Sequence, residues 1–175
     1  MSQPTPEKTS PALTLIKTLL FMVIAPGTVT VWAPLYFFRS AYATNVGEIP
    51  AFLFAGMLLI ALGVAGTLWC ALDFAFAGHG TPAPMDPPKL LVVRGLYRYA
   101  RNPMYISVLL VLFGESVLFR SWTLCRYALV VWLCFHLFVL LYEEPTLREK
   151  FGASYEDFCQ RVNRWLPRPP RSSAP

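Results

Sequence analysis

The chain has 175 residues, 55% of them apolar and 15% aromatic, with a mean hydropathy of +0.48 and a formal net charge of +5 from 15 basic and 10 acidic residues. That composition places it in the membrane class as one domain and excludes an ordinary soluble fold. With no soluble basic face available, the positive charge is a topology signal and an attraction to anionic lipid, and nucleic-acid binding is not expected.

A polar tail over 1–12 leads to Ser10-Pro11, a capping residue followed by proline at the first helical position. A bilayer core of about 30 Å takes about 20 apolar residues per helix, and four runs fit: about 13–37, 50–77, 103–119 and 122–142. The first is too long for the apolar part of a secretory signal, so Ala41-Tyr42-Ala43 is not expected to be a cleavage site. Pro26-Gly27 and Pro34 remove hydrogen bonds within it and predict a kink or break. The second run carries Gly56, Gly63 and Gly66, which let a neighbouring helix approach closely, and ends near Asp73, where a charge reaches water.

The 78–102 connection begins with a proline-rich loop. Its Gly78-His79-Gly80-Thr81-Pro82-Ala83 spells a dinucleotide-binding fingerprint by letter. That motif has to follow a strand and open a helix, and here it follows an apolar helix and runs into prolines. Asn102-Pro103 then reads as the cap and first residue of the third helix. In the fourth helix His136 precedes Glu143 by seven positions and so shares its face. The helix ends at Glu143-Glu144, with Pro145 predicting a bend or restart. From 145 to 168, Leu147, Phe151, Tyr155, Phe158 and Val162 recur at helical spacing among charged residues, an amphipathic helix expected to lie on the membrane surface.

The architecture expected is therefore an all-α, polytopic helical bundle of about four transmembrane helices with a C-terminal interfacial helix. All lysines and arginines except Arg39, Arg120 and Arg126 fall on the side shared by the N-terminus, the 78–102 loop and the C-terminal tail, which predicts both termini to be cytoplasmic. Cys70, Cys125, Cys134 and Cys159 contain no C-x-x-C pair, and no metal site is expected.

A helical hairpin that crosses a bilayer and returns brings its two ends to one surface. Gly95-Leu96-Tyr97-Arg98-Tyr99-Ala100-Arg101-Asn102-Pro103-Met104-Tyr105 before the third helix is thereby expected to face Glu143-Glu144 after the fourth. These segments, followed by Phe151-Gly152-x-x-Tyr155, resemble the isoprenylcysteine carboxyl methyltransferase family, relatives of the phospholipid methyltransferases; the likeness covers about residues 78–168. The resemblance implies an integral-membrane enzyme that uses S-adenosylmethionine and a lipophilic acceptor partitioned in the membrane. It implies a cofactor held by Val93, Gly95, Tyr97, Arg101, Asn102, Pro103, Tyr105, Glu143, Glu144 and Tyr155.

The residue types fit such a cofactor. Carboxylates accept from a ribose diol and an ammonium group, while Arg101 and Asn102 offer donors to a carboxylate. Tyrosine faces suit adenine or a sulfonium. Arg101 is the candidate for positioning cofactor or substrate, and His136 or a glutamate is a candidate proton acceptor.

Plainer readings stand beside these. Asn102-Pro103 can be only a cap, Arg94 and Arg98 only membrane anchors, His136 only a buried hydrogen-bonded side chain, and the acidic pair only a solvated helix end. The eukaryotic isoprenylcysteine enzymes carry an arginine about five residues before the acidic pair, where this chain reads His136-Leu137-Phe138-Val139-Leu140. The acceptor is accordingly left as a carboxylate oxygen or an amine nitrogen. The competing classes are a non-enzymatic membrane module of the same fold and an NADPH-dependent membrane reductase.

Overall fold

The computed structural model describes residues 16, 20, 21, 23–42, 50–74, 91 and 93–168. The expected cap at Ser10-Pro11, the 78–88 loop and the last residues lie outside them. Among the described residues the regular structure is helical, with no strand. Helix α1 runs over Val23–Phe37, α2 over Pro50–Asp73, α3 over Pro103–Leu118, α4 over Trp122–Phe138, α5 over Glu144–Phe151 and α6 over Ala153–Arg161. Short 3-10 turns cover Arg39–Tyr42 and Gly95–Arg98.

Among the described residues, two helices are long and apolar enough to cross a membrane: Ala51–Asp73, and a continuous run Trp122–Phe151 that joins α4 to α5. Helices α1 and α3 are apolar but shorter. The 16 residues of α3 rise only about 24 Å, less than a bilayer core of about 30 Å.

Proline explains the irregularity inside two of these helices. A π-turn over Thr28–Trp32 ends two residues before Pro34, and another over Val139–Glu143 ends two residues before Pro145. Each widened turn shifts the hydrogen bonding to i−5: Ala33 N–H donates to Thr28 O, and Glu144 N–H to Val139 O. The wider register accommodates a ring that would otherwise collide with the carbonyl four residues back. In that register Pro34, lacking an N–H, leaves Val29 O without a helical donor, and the Tyr127 hydroxyl of α4 donates to it at 2.9 Å. The break expected in the first span is thus a π-turn that also docks α1 on α4. Glu143-Glu144, expected at a helix end, lies mid-helix instead, because the second π-turn lets the chain pass Pro145 without stopping.

Helices α2 and α3 are antiparallel and meet along a seam of small residues. A Cβ at Gly63 would stand 2.6 Å from Ser107 O, one at Gly56 2.8 Å from Leu118 N, and one at Gly114 2.9 Å from Gly56 O. Backbone touches backbone there, as expected for helices whose association in lipid depends on close packing. Helix α4 returns antiparallel after a turn in which Arg120 takes φ +48° and Ser121 Oγ accepts from Leu124 N–H at 3.4 Å. It packs on α3 through Leu109, Leu112, Ala128 and Val131. At the far end of the bundle Tyr42 donates to Glu115 at 2.8 Å, so the carboxyl embedded in α3 has a partner remote from the site.

The C-terminal amphipathic stretch is not one helix. Gly152 at φ +51° separates α5 from α6, and Phe151, Tyr155, Phe158 and Val162 gather into a small core with Leu91 and Leu147.

Candidate functional site

The two polar clusters do meet. Arg101 Nη1 reaches Glu144 Oε1 at 3.0 Å, and Tyr105 donates to Glu143 Oε2 at 2.9 Å. The antiparallel return of α4 produces both contacts. It lays the start of α3 beside the π-turn before α5, and as adjacent helical positions, about 100° apart, the two glutamates point to different sides.

The two glutamates have different surroundings. Glu144 is 2% exposed and is surrounded by guanidinium groups: Arg101, Arg164 at 2.6 and 3.0 Å in a two-pronged contact, and Arg148 at 3.7 Å. The bond to Glu144 holds the Arg164 guanidinium even more firmly protonated than an ordinary arginine. The basic and acidic clusters expected to face each other meet around Glu144 as direct ion pairs. Glu143 bonds to Tyr105 and stands outside that arginine network.

Arg164 belongs to a return segment that binds the start of α3 by backbone contacts. Arg101 N–H donates to Asn163 O at 2.8 Å, Asn102 Nδ2 to Arg164 O at 3.1 Å, and Arg168 N–H to Tyr99 O at 2.9 Å. Asn102 occupies the N-cap position of α3 without a side-chain capping bond; its amide holds the tail, and Pro103 supplies the first turn. Trp165 in the same segment donates from Nε1 to His136 Nδ1 at 3.0 Å. With Nδ1 accepting, the neutral imidazole carries its proton on Nε2, so the lone pair a general base would use is engaged by the indole. His136 also stacks on Trp132 with ring centroids 5.5 Å apart. Phe135 and Trp165 lie beside Tyr105 at centroid distances of 4.7 and 6.5 Å, giving the Glu143 side an aromatic wall.

The other candidates divide by location. Tyr97 is buried against Cys70, Met104 and Phe74, and burial above all holds its phenol well above the ordinary value. Tyr155 is 2% exposed within the tail core, its phenol likewise raised by burial, and it packs rather than lining an opening. Val93 is exposed on the approach to the Gly95 turn. Gly95 takes φ +55°, and a Cβ there would collide with the Asp73 carboxylate, so only glycine fits. Arg101 also donates to Cys159 Sγ at 2.8 Å, and its buried Nε has no partner. No cluster of potential metal ligands occurs among the described residues.

Arg164, Trp165, Phe135 and Cys159 did not emerge from the sequence as site residues. An arginine and a tryptophan directly after an amphipathic stretch were the available signal, but their partners lie 20 and 29 positions upstream.

Comparison with known proteins bears on the same elements. The phospholipid methyltransferase family profile matches residues 51–154, from α2 to the start of α6. Over 125 residues, 69% of its length, the chain is 35% identical to a probable protein-S-isoprenylcysteine O-methyltransferase of Oryza sativa subsp. indica and, equally, to that of subsp. japonica. It is 26% identical over 119 residues to the cobalt-zinc-cadmium resistance protein CzcN of Cupriavidus metallidurans. The matched region spans 65% of the rice proteins and 50% of the bacterial one.

Proposed function

This chain belongs to the phospholipid methyltransferase family, and from that premise we propose that it transfers a methyl group from S-adenosylmethionine to a lipophilic acceptor held in the membrane. The observation that carries the proposal is the direct contact of the Arg101–Tyr105 segment with the acidic pair, through Tyr105–Glu143 and Arg101–Glu144. Four membrane-embedded helices with both termini cytoplasmic complete the reading; the distribution of basic residues supports it.

The residues present fit the cofactor. Glu143 has an oxygen outside the arginine network, suited to a ribose hydroxyl or an ammonium group, and Phe135, Tyr105 and Trp165 offer faces for adenine. Arg101, with a buried Nε that has no partner, is the donor for the cofactor's carboxylate. When bound, S-adenosylmethionine supplies an electrophilic methyl group on a sulfonium.

The chain's own residues hold the nucleophile and the cofactor in line, at about 3 to 3.5 Å, and keep water out. Glu144 acts as the anchor: its arginines fasten the 163–168 segment over the start of α3. His136 fixes Trp165 and is a positioning residue in this reading. A carboxylate acceptor is ionised at neutral pH, whereas an amine has to lose a proton, and Glu143 is the carboxylate placed to take it.

Calorimetry on the solubilised chain tests the reading. S-adenosylhomocysteine is expected to bind and NADPH is not. Binding of neither ligand would favour a non-enzymatic module, and binding of NADPH alone a reductase.

A further inference from the structure

Between α2 and α3, on the side of α3 facing away from Tyr105 and so from the proposed cofactor site, lies an apolar pocket of about 460 Å³. Ala65 of α2 and Ile106 and Leu110 of α3 form its walls, and the hydroxyl of Ser107 among them already donates to Pro103 O at 2.8 Å. Walls of that kind suit a hydrocarbon chain and ask for no polar group. Ala65 is exposed on a helix long and apolar enough to cross a membrane, so the pocket opens where lipid chains are.

Toward the start of α3 the lining changes in a fixed order. Leu110 lies about 10 Å along the helix from Pro103, at the deep end. Trp69 and Tyr99 stand at the shallow end, both exposed, as aromatic residues do where hydrocarbon gives way to head groups. Beyond them come two arginines. Arg168 N–H donates to Tyr99 O at 2.9 Å, which brings Arg168 beside the neighbour of Arg98. Both side chains are exposed, and neither guanidinium has a hydrogen bond or ion pair among the described residues. Arg94, by contrast, is already paired with Asp73. Apolar groove, aromatic boundary and unpaired cations follow one another as the acyl chain, glycerol level and charged head of an anionic phospholipid do.

We propose that this pocket holds an anionic phospholipid of the surrounding bilayer, as a resident lipid and not as the methyl acceptor, with one chain along α3 and its phosphate between Arg98 and Arg168. A phosphate there meets two cations at the depth where its head group already lies, whereas a zwitterionic head brings a cation of its own to the same place. The bound lipid also fastens the tail. Pro167 lines the pocket and Arg168 belongs to the same return segment, so a lipid touching both α3 and this segment holds residues 163–168 closed over the start of the helix. That segment carries Arg164 to Glu144 and Trp165 to His136, and the lipid thereby steadies the site on the opposite side of α3.

The test uses the full chain in neutral detergent, with native mass spectrometry reading retention of added dioleoylphosphatidylglycerol or dioleoylphosphatidylcholine, which share their chains. The wild type is expected to hold phosphatidylglycerol at least about tenfold more tightly, the scale of two basic side chains beside an anionic head. Arg98→Gln with Arg168→Gln should bring the two lipids within about threefold. Lys150→Gln with Arg161→Gln, which removes the same charge from α5 and α6, should keep the preference. Ala65→Trp, which fills the pocket with an indole, should lower retention of phosphatidylglycerol. At about ten times its Kd this lipid should also slow hydrogen exchange of the Arg168 amide about tenfold, because binding to the closed segment alone multiplies its population by 1 + [L]/Kd. Equal retention of the two lipids by the wild type overturns the proposal. So does a preference that survives Arg98→Gln with Arg168→Gln or vanishes in the charge-matched control, retention indifferent to Ala65→Trp, or Arg168 exchange that ignores the lipid. None of these readouts involves methyl transfer, so the outcome is independent of the function proposed above.

Discussion

Replacing Glu144 by glutamine removes the charge that three arginines share. Arg148, with a side chain 47% exposed and 3.7 Å away, loses little, because water screens so exposed a pair. Arg164 is 30% exposed and can turn to solvent. Arg101 cannot, because its side chain is 12% exposed. Leaving one member of a buried pair uncompensated costs about 3 to 5 kcal/mol, and since the glutamine oxygen keeps one acceptor in place, a value of about 3 kcal/mol is expected.

That loss falls on the 163–168 segment, which Arg164 joins to the helix ends. At about 1.4 kcal/mol per factor of ten, the open population of the segment should rise about 100-fold. Trypsin cleavage after Arg164 reports it, with the rate following the open population when closing is fast. Arg148→Gln serves as the control and should change the rate less than about threefold. Cleavage of Glu144→Gln at the wild-type rate would refute the assignment of Glu144 as the anchor.

Glu143→Gln should leave that cleavage rate near wild type yet weaken S-adenosylhomocysteine binding at least about tenfold, the loss of one charged acceptor; unchanged affinity in calorimetry removes Glu143 from the cofactor site. Gly63→Ala places a methyl 2.6 Å from Ser107 O and should destabilise the α2–α3 pair by about 1 to 3 kcal/mol, read as a lower thermal midpoint in detergent. Gly152→Ala meets no atom within 4 Å, so its cost is backbone strain alone at φ +51°, about 1 to 3 kcal/mol. Hydrogen exchange should show it as faster exchange of the α5 and α6 amides, while S-adenosylhomocysteine binding persists.

The helices themselves were legible because apolar run length and turn residues are local properties. The third helix, expected over 103–119, is found at Pro103–Leu118, and the glycines at 56, 63 and 66 all face α3. The antiparallel return of α4, which brings Arg101 to Glu144, also followed from topology. What the residue string concealed was the use of each member of a motif. Two adjacent glutamates look equivalent as letters, yet one meets an arginine cluster and the other Tyr105, according to what the tertiary fold brings to each side of the helix. Tyr155 and Tyr97 carried the same promise as Tyr105 and went into cores instead.

By itself, the order of residues determined an all-helical, membrane-type chain in which a basic segment and an acidic pair must converge, since hydrophobic length and hairpin reversal suffice for that. Only the tertiary structure decided that the 163–168 segment folds back to neutralise Glu144, that Trp165 occupies the His136 lone pair, and that Asp73 pairs with Arg94 while the Gly95 turn closes against its other oxygen. Those outcomes depend on side chains 20 or more positions apart meeting at distances near 3 Å, and such pairings leave no periodic trace in the sequence.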